Sequence, residues 1–344
     1  MSDAQLPLAP ADDELFDLTI IGAGPVGLFG AFYAGMRGMK VKLIDSLAEL
    51  GGQLSALYPD KFIFDMAGFP RVIAKDLVKD MSEQALQFNP AVCLEEKVTT
   101  LTAVEGGFEL GSELGRVHRT KTVLITAGVG AFAPKKLENA EFARFEKHGL
   151  HYVIPNLPIF KDRRILVVGG GDSAVDWALA LEAIGREVTL IHRRDSFRAH
   201  EDSVKKLYAS RVRVLLFHEL KNLEGDGHVE RAVVFENRTK EETTIEIDDL
   251  VVNFGFLANL GPIKTWGLTL EKNSLVVDQH METNIPGVLA AGDITAYPGK
   301  LKLIVTGVSE ATMAVCTAKM RCDPKASYFP GHSSGNAAFE GASH

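Results

Sequence analysis

Two glycine-rich segments at matched spacing constrain the fold of this chain more than any other feature. The first follows an apolar, β-branched run at residues 18–21 and has the pattern Gly-x-Gly-x-x-Gly, after which residues 25–37 have helical spacing. This order predicts a strand, a tight turn and a helix whose first N–H groups face an anion. A second strand, residues 41–44, ends on Asp45, whose carboxylate suits ribose hydroxyls. The predicted dinucleotide contacts at the turn are Gly22, Gly24, Pro25 and Gly27.

The same unit occurs a second time. Residues 165–168 form another apolar run, a glycine turn follows, a helical pattern extends to about residue 184, and a strand at 188–191 ends on His192. The separation from Gly22 to Asp45, and from Gly169 to His192, is 23 positions. One such turn could be a loop that binds nothing, whereas two at equal spacing predict two dinucleotide-binding units. The predicted contacts at the second turn are Gly169, Gly171, Asp172, Ser173 and Ala174.

The two units differ in the residues that follow their second strands. Asp45 would repel a ribose 2′-phosphate, whereas the run from His192 to Arg194 would attract one. We therefore predict that the first site holds FAD and the second holds NADPH. The basic contacts predicted for NADPH are His192, Arg193, Arg194 and Arg198.

Composition limits the classes to which the chain belongs. A length of 344 residues suits two domains, and a net charge of −8 argues against nucleic acid as a partner. Residues 186–213 contain eight Lys or Arg and four Asp or Glu. This basic stretch could bind a phosphate or an acidic protein, or it could be an ordinary solvent-exposed face. No apolar run is long enough to span a bilayer, so we predict a soluble, cytoplasmic protein. Cys93, Cys316 and Cys322 have no metal-ligand spacing, so no metal site is predicted.

The order of predicted elements gives the fold class and the domains. After the first unit, helices are predicted at residues 74–88 and 303–320, and strands at residues 92–99, 108–110, 122–126, 212–217, 229–235, 243–247, 250–254 and 288–293. We predict an α/β protein with two Rossmann-like three-layer domains, the NADPH domain being inserted in the FAD domain. The expected boundaries are residues 14–129 and 285–335 for the FAD domain, 130–284 for the NADPH domain, and flexible tails at 1–13 and 336–344.

Three further places are candidates for the FAD site. Gly52 and Gln53 follow the ribose-binding acid closely enough for backbone and amide contacts with the cofactor. Tyr58 could stack on a flat ring, or be a half-buried tyrosine in a surface turn. Asp293 ends a buried strand before a predicted helix, where it would suit the sugar-alcohol chain of a flavin or merely cap the turn.

Taken together, these motifs resemble the pyridine nucleotide-disulfide oxidoreductases of the low-molecular-weight thioredoxin reductase type. The resemblance covers the two glycine turns, residues 51–53, 126–128, 192–194 and 292–293. Thioredoxin reductases carry Cys-x-x-Cys shortly before the second glycine turn, whereas residues 151–156 here contain no cysteine. A scaffold without these cysteines but with a C-terminal segment, residues 328–334, resembles the thioredoxin reductase-like ferredoxin–NADP reductases.

This resemblance implies further residue roles. In the family, the C-terminal segment folds over the flavin of the partner subunit in a homodimer, and a tyrosine placed like Tyr58 stacks on the other face. His332 would then cover the ring, and Val98 would bind through its backbone. The FAD contacts implied by the resemblance are Asp45, Gln53, Tyr58, Val98, Phe132, Asp293 and Ser334.

The expected activity is hydride exchange between NADPH and FAD, coupled to one-electron transfer with ferredoxin. It needs no catalytic side chain, because the flavin carries the chemistry. The alternatives are an NADPH-dependent flavoprotein that reduces flavodoxin, a quinone or a thioredoxin-like protein, and a redox-silent FAD-binding scaffold. An intact second turn with its basic residues argues against the silent scaffold.

Overall fold

A computed structural model of the chain describes residues 14–128, 130–154 and 156–332, without the side chains of residues 131–133 and 256–258. The backbone divides into two compact units. The first unit comprises residues 14–131 and 258–332, and the second comprises residues 132–257. The chain therefore leaves the first unit and later returns to it, as expected for one domain inserted in another.

The first stretch of the chain builds most of the first unit. Its elements are β1 (Leu15–Ile21), α1 (Pro25–Met36), β2 (Val41–Ile44), α2 (Gln53–Leu57), β3 (Phe62–Ile63), β4 (Val72–Ile73), α3 (Ala74–Leu86), β5 (Ala91–Cys93), β6 (Val98–Val104), β7 (Gly107–Ser112), β8 (Val117–Ile125) and β9 (Ala131–Pro134). α1 starts at Pro25, whose fixed φ suits the first helical position. It ends before Gly38, whose φ of +65° is the left-handed conformation typical after a helix.

One sheet brings the functional turns of the first unit to a common edge. Its strands lie in the order β5-β2-β1-β8-β7-β6, and β1 pairs in parallel with both β2 and β8. α1 packs between α3 and α6, a later helix of residues 304–322, against a core that includes Leu18, Ile20 and Leu124. The carboxyl ends of these parallel strands lead into the glycine turn and Asp45, the edge where ligands of such sheets bind.

The second unit repeats this arrangement. Its elements are β10 (Leu150–His151), β11 (Arg164–Gly169), α4 (Asp172–Glu182), β12 (Glu187–His192), α5 (Glu201–Ala209), β13 (Arg213–Leu216), β14 (His218–Glu224), β15 (Arg231–Glu236), β16 (Glu242–Glu246) and β17 (Asp249–Asn253), with 3-10 helices at Ala140–Phe145 and Leu157–Phe160. A parallel sheet has the order β10-β17-β11-β12-β13, and β14-β15-β16 form an antiparallel sheet. Its buried strand residues, such as Leu166 and Leu190, pack against α4 or the antiparallel sheet.

The returning chain completes the first unit. Its elements are β18 (Phe256–Asn259), a 3-10 helix (Gly261–Thr265), β19 (Leu270–Glu271), β20 (Ser274–Val276), β21 (Val288–Ala290), β22 (Thr295–Ala296) and α6 (Ile304–Cys322). β21 pairs in parallel with the end of β8, and the two crossing strands β9 and β18 pair with each other. At the crossing, a Cβ on Gly130 would lie 2.3 Å from the carbonyl oxygen of Asn259, so this glycine is needed for close backbone packing.

The return to the first unit occurs earlier than expected from the sequence. Residues 258–284, which we assigned to the NADPH domain, belong by their packing to the first unit. Trp266 and Leu275 are buried in the same core as Leu18. In addition, the indole Nε1–H of Trp266 donates a hydrogen bond of 3.1 Å to the carbonyl oxygen of Thr99. The boundary is therefore corrected from residue 284 to residue 257.

Most predicted elements are confirmed, but some details differ. The strand expected at residues 92–99 is two strands, β5 and β6, because Glu95 between them has a φ of +53° that no strand accommodates. Strand β14 was not expected. The strand expected at residues 288–293 ends at Ala290, whereas the helix expected at residues 303–320 is confirmed as α6.

Candidate functional site

The first glycine turn is built around close backbone contacts. Gly22 has a φ of +110°, and a Cβ on Gly27 would lie 1.9 Å from the carbonyl oxygen of Gly22. A Cβ on Gly24 would meet no described atom within 4 Å, so the backbone is open to close approach there. The helix starting at Pro25 has no side-chain cap, which leaves its first N–H groups available to an anion. The turn thus has the shape of a pyrophosphate cradle.

Asp45 lies beside this turn. Its carboxylate accepts hydrogen bonds from the N–H of Ala23 at 2.6 Å and of Leu47 at 2.8 Å. Burial raises the pKa of Asp45, and the backbone N–H groups oppose that rise by stabilising the charged form. Because each carboxylate oxygen has two lone pairs, both can still accept from ribose hydroxyls.

The second glycine pair packs directly on the first turn. The N–H of Gly51 donates to the carbonyl oxygen of Ala23 at 2.9 Å, and a Cβ on Gly52 would lie 3.0 Å from the Cα of Gly24. Gln53 begins α2, and its side-chain amide lies against Gly128. A Cβ on Gly128 would lie 3.0 Å from the Nε2 atom of Gln53. The structure therefore brings Gly52 to the first glycine turn and Gln53 to Gly128, and their contacts with FAD stay a prediction.

Tyr58 and Asp293 are electrostatically coupled. Burial raises the pKa of the Tyr58 hydroxyl, and the charge of Asp293 raises it further. Burial also raises the pKa of Asp293, against the opposing charges of Lys302 and Lys300. These two candidates, far apart in sequence, thus belong to one region of the first unit.

The other candidates taken from the resemblance are placed less completely. Val98 starts β6 and is buried, two residues after Glu96, whose N–H donates to the carbonyl oxygen of Asp45 at 2.9 Å. Phe132 lies in β9, but its side chain is outside the described part. His332 is exposed and contacts the ring of Phe329, with 5.5 Å between ring centroids. Ser334 lies outside the described residues.

The second glycine turn is closed by a neighbouring segment. The N–H of Arg198 donates to the carbonyl oxygen of Gly170 at 2.7 Å, and the N–H of His200 donates to the carboxylate of Asp172 at 2.8 Å. Asp172 and Ser173 are exposed at the start of α4, whereas Ala174 is fully buried. The side chain of Ala174 therefore serves the packing of helix on strand, and a contact of this residue with NADPH stays a prediction.

The basic segment after β12 contributes two charges rather than three. Arg193 and Arg194 are exposed, and in the described part of the chain neither guanidinium has an ion pair. His192 stacks on Phe197 at 5.3 Å between centroids. Burial lowers the pKa of His192, and the charges of Arg194 and Arg193 lower it further, so the ring is neutral at pH 7.

The sequence did not point to Asn253 at the second turn. This residue ends β17, and a Cβ on Gly169 would lie 3.2 Å from its Cβ. Its buried amide Nδ2 has no hydrogen-bond partner among the described residues, which is unusual for a buried polar atom. The only sequence signal was its position at the carboxyl end of a parallel strand.

Two features typical of other classes of protein are absent from the described ranges. They contain no group of three or more His, Cys, Asp or Glu residues that could hold a metal ion. None of their helices is both long and apolar enough to cross a membrane.

The two glycine turns, their acidic and basic partners, and the inserted second unit define a class of protein. Residues 16–314 match the family model described as pyridine nucleotide-disulphide oxidoreductase. The chain belongs to this family.

Within the family, the chain is similar to curated ferredoxin–NADP reductases. It is 56% identical over 321 residues to ferredoxin–NADP reductase 2 of Shouchella clausii, covering 93% of this chain and 97% of the relative. It is also 56% identical over 326 residues to the ferredoxin–NADP reductase of Symbiobacterium thermophilum, with the same coverage of 93% and 97%.

Solved structures share the fold. The thioredoxin reductase of T. acidophilum superposes with a TM-score of 0.78 at 24% identity, covering 89% of this chain and 98% of that one. The thioredoxin reductase of Lactococcus lactis superposes with a TM-score of 0.77 at 26% identity, covering 89% and 99%. The predicted α/β fold of two dinucleotide-binding domains is thereby confirmed.

Proposed function

We propose that this chain catalyses the ferredoxin–NADP⁺ reductase reaction, in which hydride exchange between NADPH and FAD is coupled to one-electron transfer with ferredoxin. The observation that carries the proposal is the pairing of two dinucleotide turns with opposite charge beside them, Asp45 at the first and Arg193 with Arg194 at the second. Relatives that are 56% identical over almost their whole length and are named ferredoxin–NADP reductases support it.

The residues of the first unit fit FAD. The open backbone at Gly24 and the uncapped start of α1 suit the pyrophosphate, and the free lone pairs of Asp45 suit the adenosine ribose. Gln53 and Asp293 offer an amide and a carboxylate to the flavin end, and Tyr58 offers a flat ring. Bound FAD supplies the chemistry that side chains lack, because a flavin accepts two electrons together and releases them singly.

The residues of the second unit fit NADPH. The start of α4 suits the pyrophosphate, and the exposed guanidinium groups of Arg193 and Arg194 suit the 2′-phosphate, which planar bidentate donors bind well. Neutral His192, stacked on Phe197, holds the segment that carries these arginines. The role of the chain is therefore to bind and orient two nucleotides.

The cysteine positions argue against a thioredoxin reductase. The cysteines of the chain are Cys93, Cys316 and Cys322, and the stretch before the second turn, residues 151–156, contains none. The chain thus lacks the dithiol that would pass electrons to a disulfide. The cytoplasmic location stays our prediction.

The position of the C-terminal segment supports a homodimer. Arg37, just past the end of α1, donates hydrogen bonds to the carbonyl oxygens of Ser327 at 2.6 Å and Tyr328 at 2.9 Å. The 12 residues of α1 separate this anchor from the glycine turn by about 18 Å. The C-terminal segment thus begins at the end of α1 that is remote from the glycine turn of the same chain, and the exposed rings of Phe329 and His332 follow it. This position favours a segment that covers the flavin of a second copy of the chain.

An anaerobic titration tests the proposal. Protein reconstituted with FAD should lose its flavin absorbance on addition of NADPH, and NADH should be needed at much higher concentration. Absence of bleaching by either nucleotide would refute the reductase function and leave an FAD-binding scaffold. Sedimentation at equilibrium tests the homodimer, which a monomeric mass would exclude.

A further inference from the structure

A single buried carboxylate holds the turn that carries Asp293. Glu310, in α6, is 1% exposed. Its carboxylate accepts hydrogen bonds from the N–H of Gly292 at 2.7 Å, the hydroxyl of Tyr297 at 2.5 Å and the ammonium of Lys300 at 2.5 Å. Donors from both ends of residues 292–300 thus converge on one side chain of a different element.

Stability alone does not explain why this ion pair is buried. The side chains of Lys300 and Glu310 are 7% and 2% exposed. Removing two charges from water is costly, and apolar replacements of such pairs are often neutral or stabilising. Burial, with the hydrogen bond to Glu310, raises the pKa of Tyr297 to about 12, so that its hydroxyl remains a donor at neutral pH. What the group does achieve is a fixed geometry for the turn.

The turn is also packed against the first glycine turn. Gly292 has a φ of +85°, and a Cβ on it would lie 3.2 Å from a methyl carbon of Val26. A Cβ on Gly307 of α6 would lie 2.4 Å from the same methyl carbon and 3.2 Å from the Cα of Gly292. Since Val26 is in the first turn of α1, a displacement of the 292–300 turn would disturb both ends of the predicted FAD site.

We propose that Glu310, paired with Lys300, is a positioning residue that fixes the 292–300 turn and thereby the placement of Asp293 toward the flavin. This inference rests on the proposed function, because it takes FAD as the occupant of the first unit. Glu310 is itself too deeply buried to contact the cofactor, so its effect is transmitted through the backbone of Gly292 and the loop that follows.

Glu310→Gln is the direct test. Glutamine has the same shape, but its NH₂ group would face one of the groups that now donate a hydrogen bond to the carboxylate. We expect the amides of residues 292–300 to exchange hydrogen at least about tenfold faster in the apoprotein, and the Kd for FAD to rise about tenfold. Glu109→Gln is the matched control, because Glu109 pairs with Arg119 at 3.1 Å on the surface of the same unit. Equal effects of the two variants, or unchanged exchange at 292–300, would overturn the proposal.

A second pair of variants separates positioning from charge and remains informative where Glu310→Gln does not fold. Lys300→Met and Lys302→Met each remove one positive charge that acts on Asp293, but only Lys300 contacts Glu310. Faster exchange and weaker FAD binding in Lys300→Met alone are expected, whereas equal changes in both variants would overturn the positioning role. Hydrogen exchange is measured in the apoprotein, so its result does not depend on FAD. Failure of the wild-type protein to bind FAD would therefore count against the proposed function and not against the positioning role of Glu310.

Discussion

Two glycine-to-alanine substitutions in the first turn should have opposite consequences. In Gly27→Ala the new methyl group would lie 1.9 Å from the carbonyl oxygen of Gly22 and 2.8 Å from the hydroxyl oxygen of Thr126. That hydroxyl donates to the same carbonyl at 2.7 Å, so the clash falls on an existing hydrogen bond. In Gly24→Ala the methyl group would meet no described atom within 4 Å, and the φ of −70° suits any residue.

The magnitudes follow from these distances. Relief of a 1.9 Å contact requires backbone movement of roughly 1 Å or more, and overpacking of this kind costs about 1–3 kcal/mol. Gly24→Ala should change the free energy of unfolding of the apoprotein by less than about 1 kcal/mol, the usual cost of alanine at a helix N-cap. Its methyl group would nevertheless stand where the pyrophosphate approaches, and FAD affinity should fall by at least about tenfold.

The assay is thermal unfolding of each variant with and without FAD, together with FAD titration of the apoprotein. Gly27→Ala should lower the Tm of the apoprotein, by roughly 2–4 °C for each kcal/mol lost. Gly24→Ala should leave that Tm almost unchanged and lose the increase that FAD gives the wild type. Wild-type FAD affinity in Gly24→Ala would refute the assignment of this turn as the pyrophosphate site.

Three further predictions concern other parts of the chain. Replacing Arg193 and Arg194 by alanine should weaken NADPH binding by roughly 100-fold while NADH binding changes little, and equal losses in a binding titration would exclude the 2′-phosphate contact. The hydrogen bond from Arg164 holds the pKa of Asp248 below its ordinary 3.8, so the carboxylate of Asp248 binds a proton more weakly in the native state than in the unfolded state. Asp248→Asn should therefore lower the free energy of unfolding by about 1 kcal/mol at neutral pH. Chemical denaturation should show that this difference from the wild type disappears as the pH falls through the lowered pKa. Arg37→Met should free the C-terminal segment for limited proteolysis with the Tm almost unchanged, and wild-type resistance would show that Arg37 is not its anchor.

Local patterns predicted the repeated units well. α1 was expected from Pro25 to about residue 37 and ends at residue 36, and β2 occupies residues 41–44 as expected. These elements depend on interactions within a short stretch: an apolar run, a glycine turn and a helix start marked by proline. The glycine residues of the turns could be recognised for the same reason.

Non-local packing accounts for what could not be predicted. Residues 258–284 have no local feature that assigns them to a domain, and only the burial of Trp266 in the first unit does so. Glu310 is one acid in an otherwise ordinary helical pattern, so its burial depends on Lys300 and Tyr297. Lys42 interrupts an apolar strand yet is fully buried, with its ammonium 3.0 Å from the ring of His118. Such polar pairs become visible only once distant strands and helices are brought together.

In the proposed function, electrons from NADPH leave this protein through ferredoxin. The most direct measurement is anaerobic reduction of cytochrome c by NADPH and the FAD-loaded protein, with ferredoxin, flavodoxin, a quinone or thioredoxin added in turn. We expect a rate that depends strongly on ferredoxin and falls with the double substitution of Arg193 and Arg194. A rate that ferredoxin does not raise, in protein whose flavin NADPH does bleach, would contradict it and assign the electrons to another acceptor.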